Sequence, residues 1–294
     1  MLETVLATVL PVLITVAIGY VWTLFGHQLQ SKDLTSLIAD VATPCLIVST
    51  FNATKVSPEA VGALAGAAVT AIVCFAIVGA TVLRLSGLPI RRFLPSISFP
   101  NAGNLGLPLS LYAFGTEGLG YAIVFFSTAS IANHTLGQAI AAGSANWRGL
   151  LRTPILYAVA FGLAVSFTWI TLPGWVATTI GLIGSMTVPL MLLMLGASLS
   201  RLRVASFGRA AFVSLIRIGC GTAVGFVVAA ACGLAGPMRA VLILQCAMPV
   251  AVYNFLYAQR WNNGPEDVAG VVVISTTLAA GTLPLLLAWL LLHP

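Results

Sequence analysis

The chain reads as a succession of long apolar runs separated by short polar connections. The runs cover residues 4–25, 34–51, 59–84, 89–114, 118–142, 153–172, 176–199, 207–234, 238–259 and 268–292. Each approaches or exceeds the ~20 residues that a helix needs to cross a hydrocarbon core about 30 Å thick. They predict an all-α membrane protein of ten transmembrane helices, with neighbouring helices antiparallel because the connections are short.

Two of these runs do not have the pattern of continuous helices. The fourth contains Phe99-Pro100-Asn101-Ala102-Gly103-Asn104-Leu105-Gly106-Leu107-Pro108-Leu109. Two prolines remove backbone donors and two glycines favour non-helical backbone. The expected course is a helix that stops near the bilayer centre, continues as extended chain and restarts. Main chain bared at that depth is tolerated only where protein buries it or water reaches it. The stretch therefore marks a cavity, and a midplane cavity is where secondary transporters bind their substrates. The ninth run carries Pro249 followed by Asn254, which predicts a second break of the same kind.

The two halves echo one another. Pro44 and Pro189 lie mid-run in the second and seventh runs, and Gly62 with Gly66 in the third matches Gly221 with Gly225 in the eighth. Runs one to five thus resemble runs six to ten, giving repeats over residues 1–145 and 153–294. Because five is odd, the second repeat enters from the opposite side, and an inverted repeat points to alternating access around a central site.

Composition agrees, with 59% hydrophobic and only 7% charged residues, against about 25% charged in a soluble domain. The net charge of +6 is a matter of topology rather than of nucleic-acid binding. Lys32, Arg84, Arg91, Arg92, Arg148, Arg152, Arg201, Arg203, Arg209 and Arg260 fall in connections on one side, with Lys55 and Arg239 opposite and Arg217 inside a run. By the positive-inside rule the first group is cytoplasmic, which predicts a multi-pass plasma (inner) membrane protein with both termini extracytoplasmic. The first run lacks a basic leader and a small-residue cleavage pattern, so it reads as a span rather than a signal peptide. Trp147 beside Arg148 reads as an interfacial anchor. The five cysteines all lie inside runs at no metal-ligand spacing and read as packing residues.

The candidate chemistry gathers at the breaks. Asn101, Asn104 and Asn254 each offer two donors and two acceptor lone pairs without charge. They suit either capping of the freed main chain or binding of a carboxylate, which a half-helix N-terminus also favours. Pro100 and Pro249 shape the site. Asp40, one turn before Pro44, is costly in the membrane if ionised; it reads as a proton-coupling group or as an interfacial residue. His134 and Asn133 in the fifth run, with Gln138 one turn on, form a polar stripe that is either a substrate contact, a proton site or structural. Arg217 could balance substrate charge, pair with Asp40 or fix helix packing. Gln245, Tyr253, Ser275, Thr276 and Thr277 are further lining candidates. The segment Gly115-Thr-Glu-Gly118-Leu-Gly120 lacks the lysine of a nucleotide-binding loop. With no catalytic constellation and no metal spacing either, neither an enzyme nor a cofactor is expected.

At these residues the chain resembles the auxin efflux carrier family, whose bacterial members include malate- and malonate-permease-like proteins. Thr43-Pro44-Cys45-Leu46-Ile47 resembles the family's second-helix proline motif, and Asn101 to Leu109 closely resembles its fourth-helix signature. Met248-Pro249-Val250-Ala251, running to Ala258-Gln259-Arg260-Trp261, resembles the ninth-helix signature, and Ser275-Thr276-Thr277 with Pro284 fits the last helix. Two positions depart from the pattern: Trp261 stands where a tyrosine is frequent, and Asp40 is not part of it. The resemblance implies a sodium/proton-antiporter-like fold in which helices 1, 2, 6 and 7 form a panel domain and helices 3–5 and 8–10 a core domain, with helices 4 and 9 broken and crossing. It implies an elevator-type carrier of small organic anions, from dicarboxylates to auxin-like acids, with Asn101, Asn104, Asn254, Asn133, His134 and Tyr253 around the substrate. The coupling ion stays open between a proton (through Asp40 or His134), sodium and none. A homodimer through the panel domain is a further implied partner. A sodium-coupled carrier like the bile-acid symporters and a non-transporting ligand sensor remain the alternatives.

Overall fold

The computed structural model describes residues 2–27, 29, 32–54, 56–143, 153–167 and 172–293. Lys55, Trp147, Arg148 and Arg152, which entered the reading of topology, lie outside the described residues. Among the described residues every element is helical, apart from one isolated bridge between two extended residues.

Helix α1 (Leu2–Leu24) is apolar along its length, and Leu6, Leu10, Leu13, Ile14 and Ile18 stay exposed on it. An unbroken apolar belt of this kind is what lipid, not water, solvates. Helix α2 (Asp33–Thr54) contains a π turn over Leu37–Ala42 immediately before Thr43-Pro44. Pro44 has no N–H to return to the preceding turn, and the wider turn absorbs that loss. Helix α3 (Pro58–Leu85) starts where both capping rules predict, with the Ser57 hydroxyl accepting from the Ala60 N–H at 3.2 Å and proline at the first position.

The next stretch is interrupted. Helix α4 (Ile90–Ser98) stops, the chain leaves helical geometry at Phe99 through Asn101, and a π turn over Ala102–Gly106 leads into α5 (Leu107–Ala132). Gly115 inside α5 has φ 66° and ψ −160°, a conformation that L side chains rarely adopt, and it marks the turn between the fourth and fifth apolar runs. Beyond Ala132 the chain continues through a π turn, Asn133–Gly137, into Gln138–Ala142.

The second half follows with α6 (Pro154–Phe167), α7 (Gly174–Ser185), α8 (Thr187–Arg201) and α9 (Phe207–Ala231). Helices α7 and α8 are separated at Met186, close before Pro189. Then comes a second interrupted stretch: α10 (Gly236–Cys246), extended residues to Ala251, and α11 (Val252–Arg260). Helix α12 (Pro265–Leu292) closes the chain.

Seven helical stretches among the described residues are long and apolar enough to cross a membrane. The fourth and ninth runs fall short of that length because each is cut into pieces. The molecule is therefore a multi-pass, all-helical membrane protein.

Packing divides into two sets. Helix α1 lies along α8 so closely that a Cβ on Gly19 or Gly196 would meet the partner helix backbone, the small-residue device that lets membrane helices approach. Helix α2 packs on α6 and α7, while α9 packs on α3, α10 and α12. Asp267, in the first turn of α12, ties three elements together at one end of the bundle. It receives Arg92 of α4 at 2.6 Å and Arg209 of α9 at 3.1 Å.

Candidate functional site

The two interruptions meet. The Asn101 N–H donates to the Pro249 carbonyl at 2.7 Å and the Ala251 N–H to the Phe99 carbonyl at 3.4 Å, an antiparallel bridge centred on Pro100 and Val250. Neither proline can donate, so the bridge is made by the N–H groups of Asn101 and Ala251. The Asn254 Nδ2 adds a bond to the Phe99 carbonyl at 3.2 Å, and the Val250 N–H donates to the Ser275 hydroxyl at 3.1 Å. Beneath the bridge, the fully buried Arg217 donates to the carbonyls of Ile97, Cys246 and Met248. Its guanidinium carbon lies 4.5 Å from the centre of the Phe75 ring. Close approach is needed on the other flank, where a Cβ on Gly106 would run into the Gln245 amide.

A cavity of about 870 Å³ opens against this junction. Of the residues singled out from the sequence, Asp40, Pro100, Asn101, Asn104, Asn133, His134 and Tyr253 line it. Pro249 and Asn254 do not: the first gives its carbonyl to Asn101, and the second turns its amide onto Phe99. Gln245 is also away from it, donating to the Ser110 hydroxyl at 3.3 Å. Arg217 pairs with main chain and not with Asp40. Asp40 itself is exposed at the cavity wall rather than sequestered.

Some of the residues lining the cavity carry a polar atom that is not satisfied among the described residues. The Asn101 Nδ2 and the Asn133 Oδ1 are buried without a partner, although buried amides are almost always hydrogen-bonded. The His134 Nδ1 lies 2.8 Å from the Ser130 carbonyl, which only accepts, so Nδ1 carries a proton in this contact. Tyr253 and Tyr257 stand beside that ring, with centroids at 6.1 and 6.5 Å. The Gln138 Nε2 contacts the Tyr257 hydroxyl at 3.4 Å. The cavity lining therefore combines amide side chains, aromatic surface and the charged residues Asp40 and Arg201.

The Membrane transport protein family model matches this chain over residues 4–146 and 140–287. The chain belongs to this family, that of the auxin efflux carriers. It is 25% identical over 308 aligned positions to an uncharacterized transporter of Methanocaldococcus jannaschii, covering 97% of this chain and 98% of that one. An uncharacterized transporter of Methanothermobacter thermautotrophicus is 26% identical over 297 positions, covering 95% and 96%. Auxin efflux carrier component 1 of Arabidopsis thaliana is 30% identical over 153 residues, half of this chain. The match spans only 24% of that plant carrier's length.

Two lining residues of this transporter escape a reading of the sequence. Arg201, at the end of α8, is the one Lys or Arg among the described residues lining the cavity, and it makes no ion pair among them. In the sequence it is one of ten basic residues in connections on the same side, and nothing separates it from the other nine. Gln259, exposed at the end of α11, lines the same wall and has no distinguishing pattern.

Proposed function

We propose that the chain is a secondary transporter for a small organic anion, which binds in the cavity where the interrupted helices meet. The observation that carries this reading is the Asn101 amide: a buried donor with no partner among the described residues, in a cavity that Arg201 also lines. A carboxylate supplies the missing acceptor. Asn104 and the main chain of the restarting helix add donors, and Asn133 and His134 line the same cavity. Arg201 contributes the favourable potential at the mouth.

In this reading the two breaks are crossing helices four and nine of an inverted repeat. Helices α1, α2, α6, α7 and α8 form the panel, and the remainder forms the core. The packing of α1 on α8 and of α2 on α6 and α7 supports that division. Residues at the predicted cytoplasmic ends of their helices, Arg201, Gln259 and Thr153, are among those lining the cavity. This placement supports a conformation open to the cytoplasm, from which the core moves against the panel to expose the anion on the other side.

The test is flux. Purified protein in proteoliposomes should take up one or more of malate, malonate and indole-3-acetate saturably, and the same compound should raise the melting temperature of the detergent-purified protein. Stabilisation without flux would support a sensor, and neither effect with any carboxylate would remove the anion reading.

The wall charges give a paired prediction. Arg201→Gln should weaken anion binding about three- to tenfold and flatten its dependence on ionic strength, because a solvent-accessible cation contributes roughly 1 kcal/mol and is screened by salt. Asp40→Asn removes the one carboxylate lining the cavity among the described residues, and binding of the same anion should tighten about two- to fivefold by the same argument. Titration calorimetry at low and high salt checks both.

A further inference from the structure

Arg217 is fully buried in the centre of α9, inside an apolar bundle, and makes no ion pair among the described residues. Among the described residues the ion pairs are Arg92–Asp267 and Arg209–Asp267. An isolated guanidinium in such a place is costly unless strong acceptors surround it. Here the acceptors are main-chain carbonyls from both interrupted segments. Ile97 lies in the last turn of α4, Cys246 is the last residue of α10, and Met248 stands just beyond it. Each helix ends with carbonyls that have no N–H to accept from, and each end carries about half a negative charge. Two such ends converge on one position, so their summed field matches one monovalent cation.

The surroundings are shaped to hold that cation. The Phe75 ring face covers the guanidinium at 4.5 Å. One turn along α9 stands Gly221, where a Cβ would sit 2.8 Å from the Arg217 Nη2. A cluster of carbonyl oxygens at an interrupted helix is also the chemistry with which transporters coordinate sodium.

We propose that Arg217 is the protein's own resident cation, filling the position at which the carbonyl ends of α4 and α10 would otherwise require a bound monovalent ion, so that anion transport proceeds without sodium at this junction. The inference rests on the transport reading for its functional half, whereas its structural half stands on the carbonyl cluster alone. Arg217 is a positioning residue: it holds the two helix ends that carry the anion-binding breaks, and it does not touch the cavity. Because its charge travels with the breaks, a bound monoanion moves as a neutral assembly.

Thermal unfolding of the purified full chain in sodium, potassium, choline and low-millimolar guanidinium chloride at constant ionic strength tests this. The wild type should melt at the same temperature in all four. Arg217→Ala leaves three carbonyls without donors and should melt about 10 °C lower in choline. Guanidinium or sodium should restore at least half of that loss. A variant equally destabilised in every salt would assign Arg217 a packing role only and overturn the proposal. Should Arg217→Ala fail to fold, Arg217→Lys keeps the charge with fewer donors. It should fold and stay insensitive to the cation, and sodium-dependent stability in it would count against the idea. Wild-type flux decides the functional half: equal uptake in sodium and choline is expected, and a tenfold sodium requirement would overturn it. Failure to transport any carboxylate would instead count against the anion reading and leave the cation-specific melting result standing.

Discussion

Asn101→Ala is expected to lower carboxylate affinity about tenfold or more while leaving the melting temperature of the ligand-free protein unchanged or slightly raised. The two halves of this expectation have one cause. The Asn101 Nδ2 is buried and has no partner in the ligand-free fold, so the fold gains nothing from it and bears its desolvation. A bound carboxylate accepts from it in a poorly solvated position, where a charge-assisted hydrogen bond contributes roughly 1.5–3 kcal/mol. The backbone N–H of Asn101, which bonds the Pro249 carbonyl, survives the substitution, and the junction stays closed. Calorimetric titration with the best-transported acid, alongside a melting curve, checks both. A large fall in stability with unchanged affinity would move Asn101 out of the site and into the scaffold.

Asn254→Ala should behave in the opposite sense. Its Nδ2 bonds the Phe99 carbonyl at 3.2 Å, and the residue is only 2% exposed. That carbonyl also accepts the Ala251 N–H, at a longer 3.4 Å, so the amide is the shorter of two clasps between the breaks. Its loss should destabilise the protein by about 1–3 kcal/mol, a fall of roughly 3–10 °C in melting temperature. Affinity should drop less than in Asn101→Ala and recover when the protein is assayed well below its melting temperature. A variant with normal stability and abolished binding would show that Asn254 contacts the anion directly.

This contrast shows what the chain betrays in advance and what it hides. The positions of the breaks were legible because prolines, glycines and asparagines crowd into one apolar run, and no continuous helix tolerates that mixture. The pairing of Pro100 with Val250 was legible only as symmetry between halves, since their contact lies in tertiary space. The direction of each amide was not legible. Asn104 and Asn254 follow the prolines of their breaks at similar distances, yet one lines a cavity and the other clamps a carbonyl. Arg217 stood out as a charge inside an apolar run, but its partners are carbonyls remote in sequence, and carbonyls leave no mark in a sequence. The π turns at Leu37–Ala42, Ala102–Gly106 and Asn133–Gly137 were likewise invisible, because apolar periodicity does not distinguish one extra residue per turn.

The carboxylate of Asp267, gripping arginines from α4 and α9 at the foot of α12, bears on how the proposed cycle is executed. A knot joining three segments at one face opposes their slipping past one another, and untying it would strand two guanidinium groups at once. The half-helix before the first break is therefore leashed to its neighbours. Within such a cycle the cargo would travel with an intact block, like a passenger in a closed car, and the give would have to come from the seams along the panel.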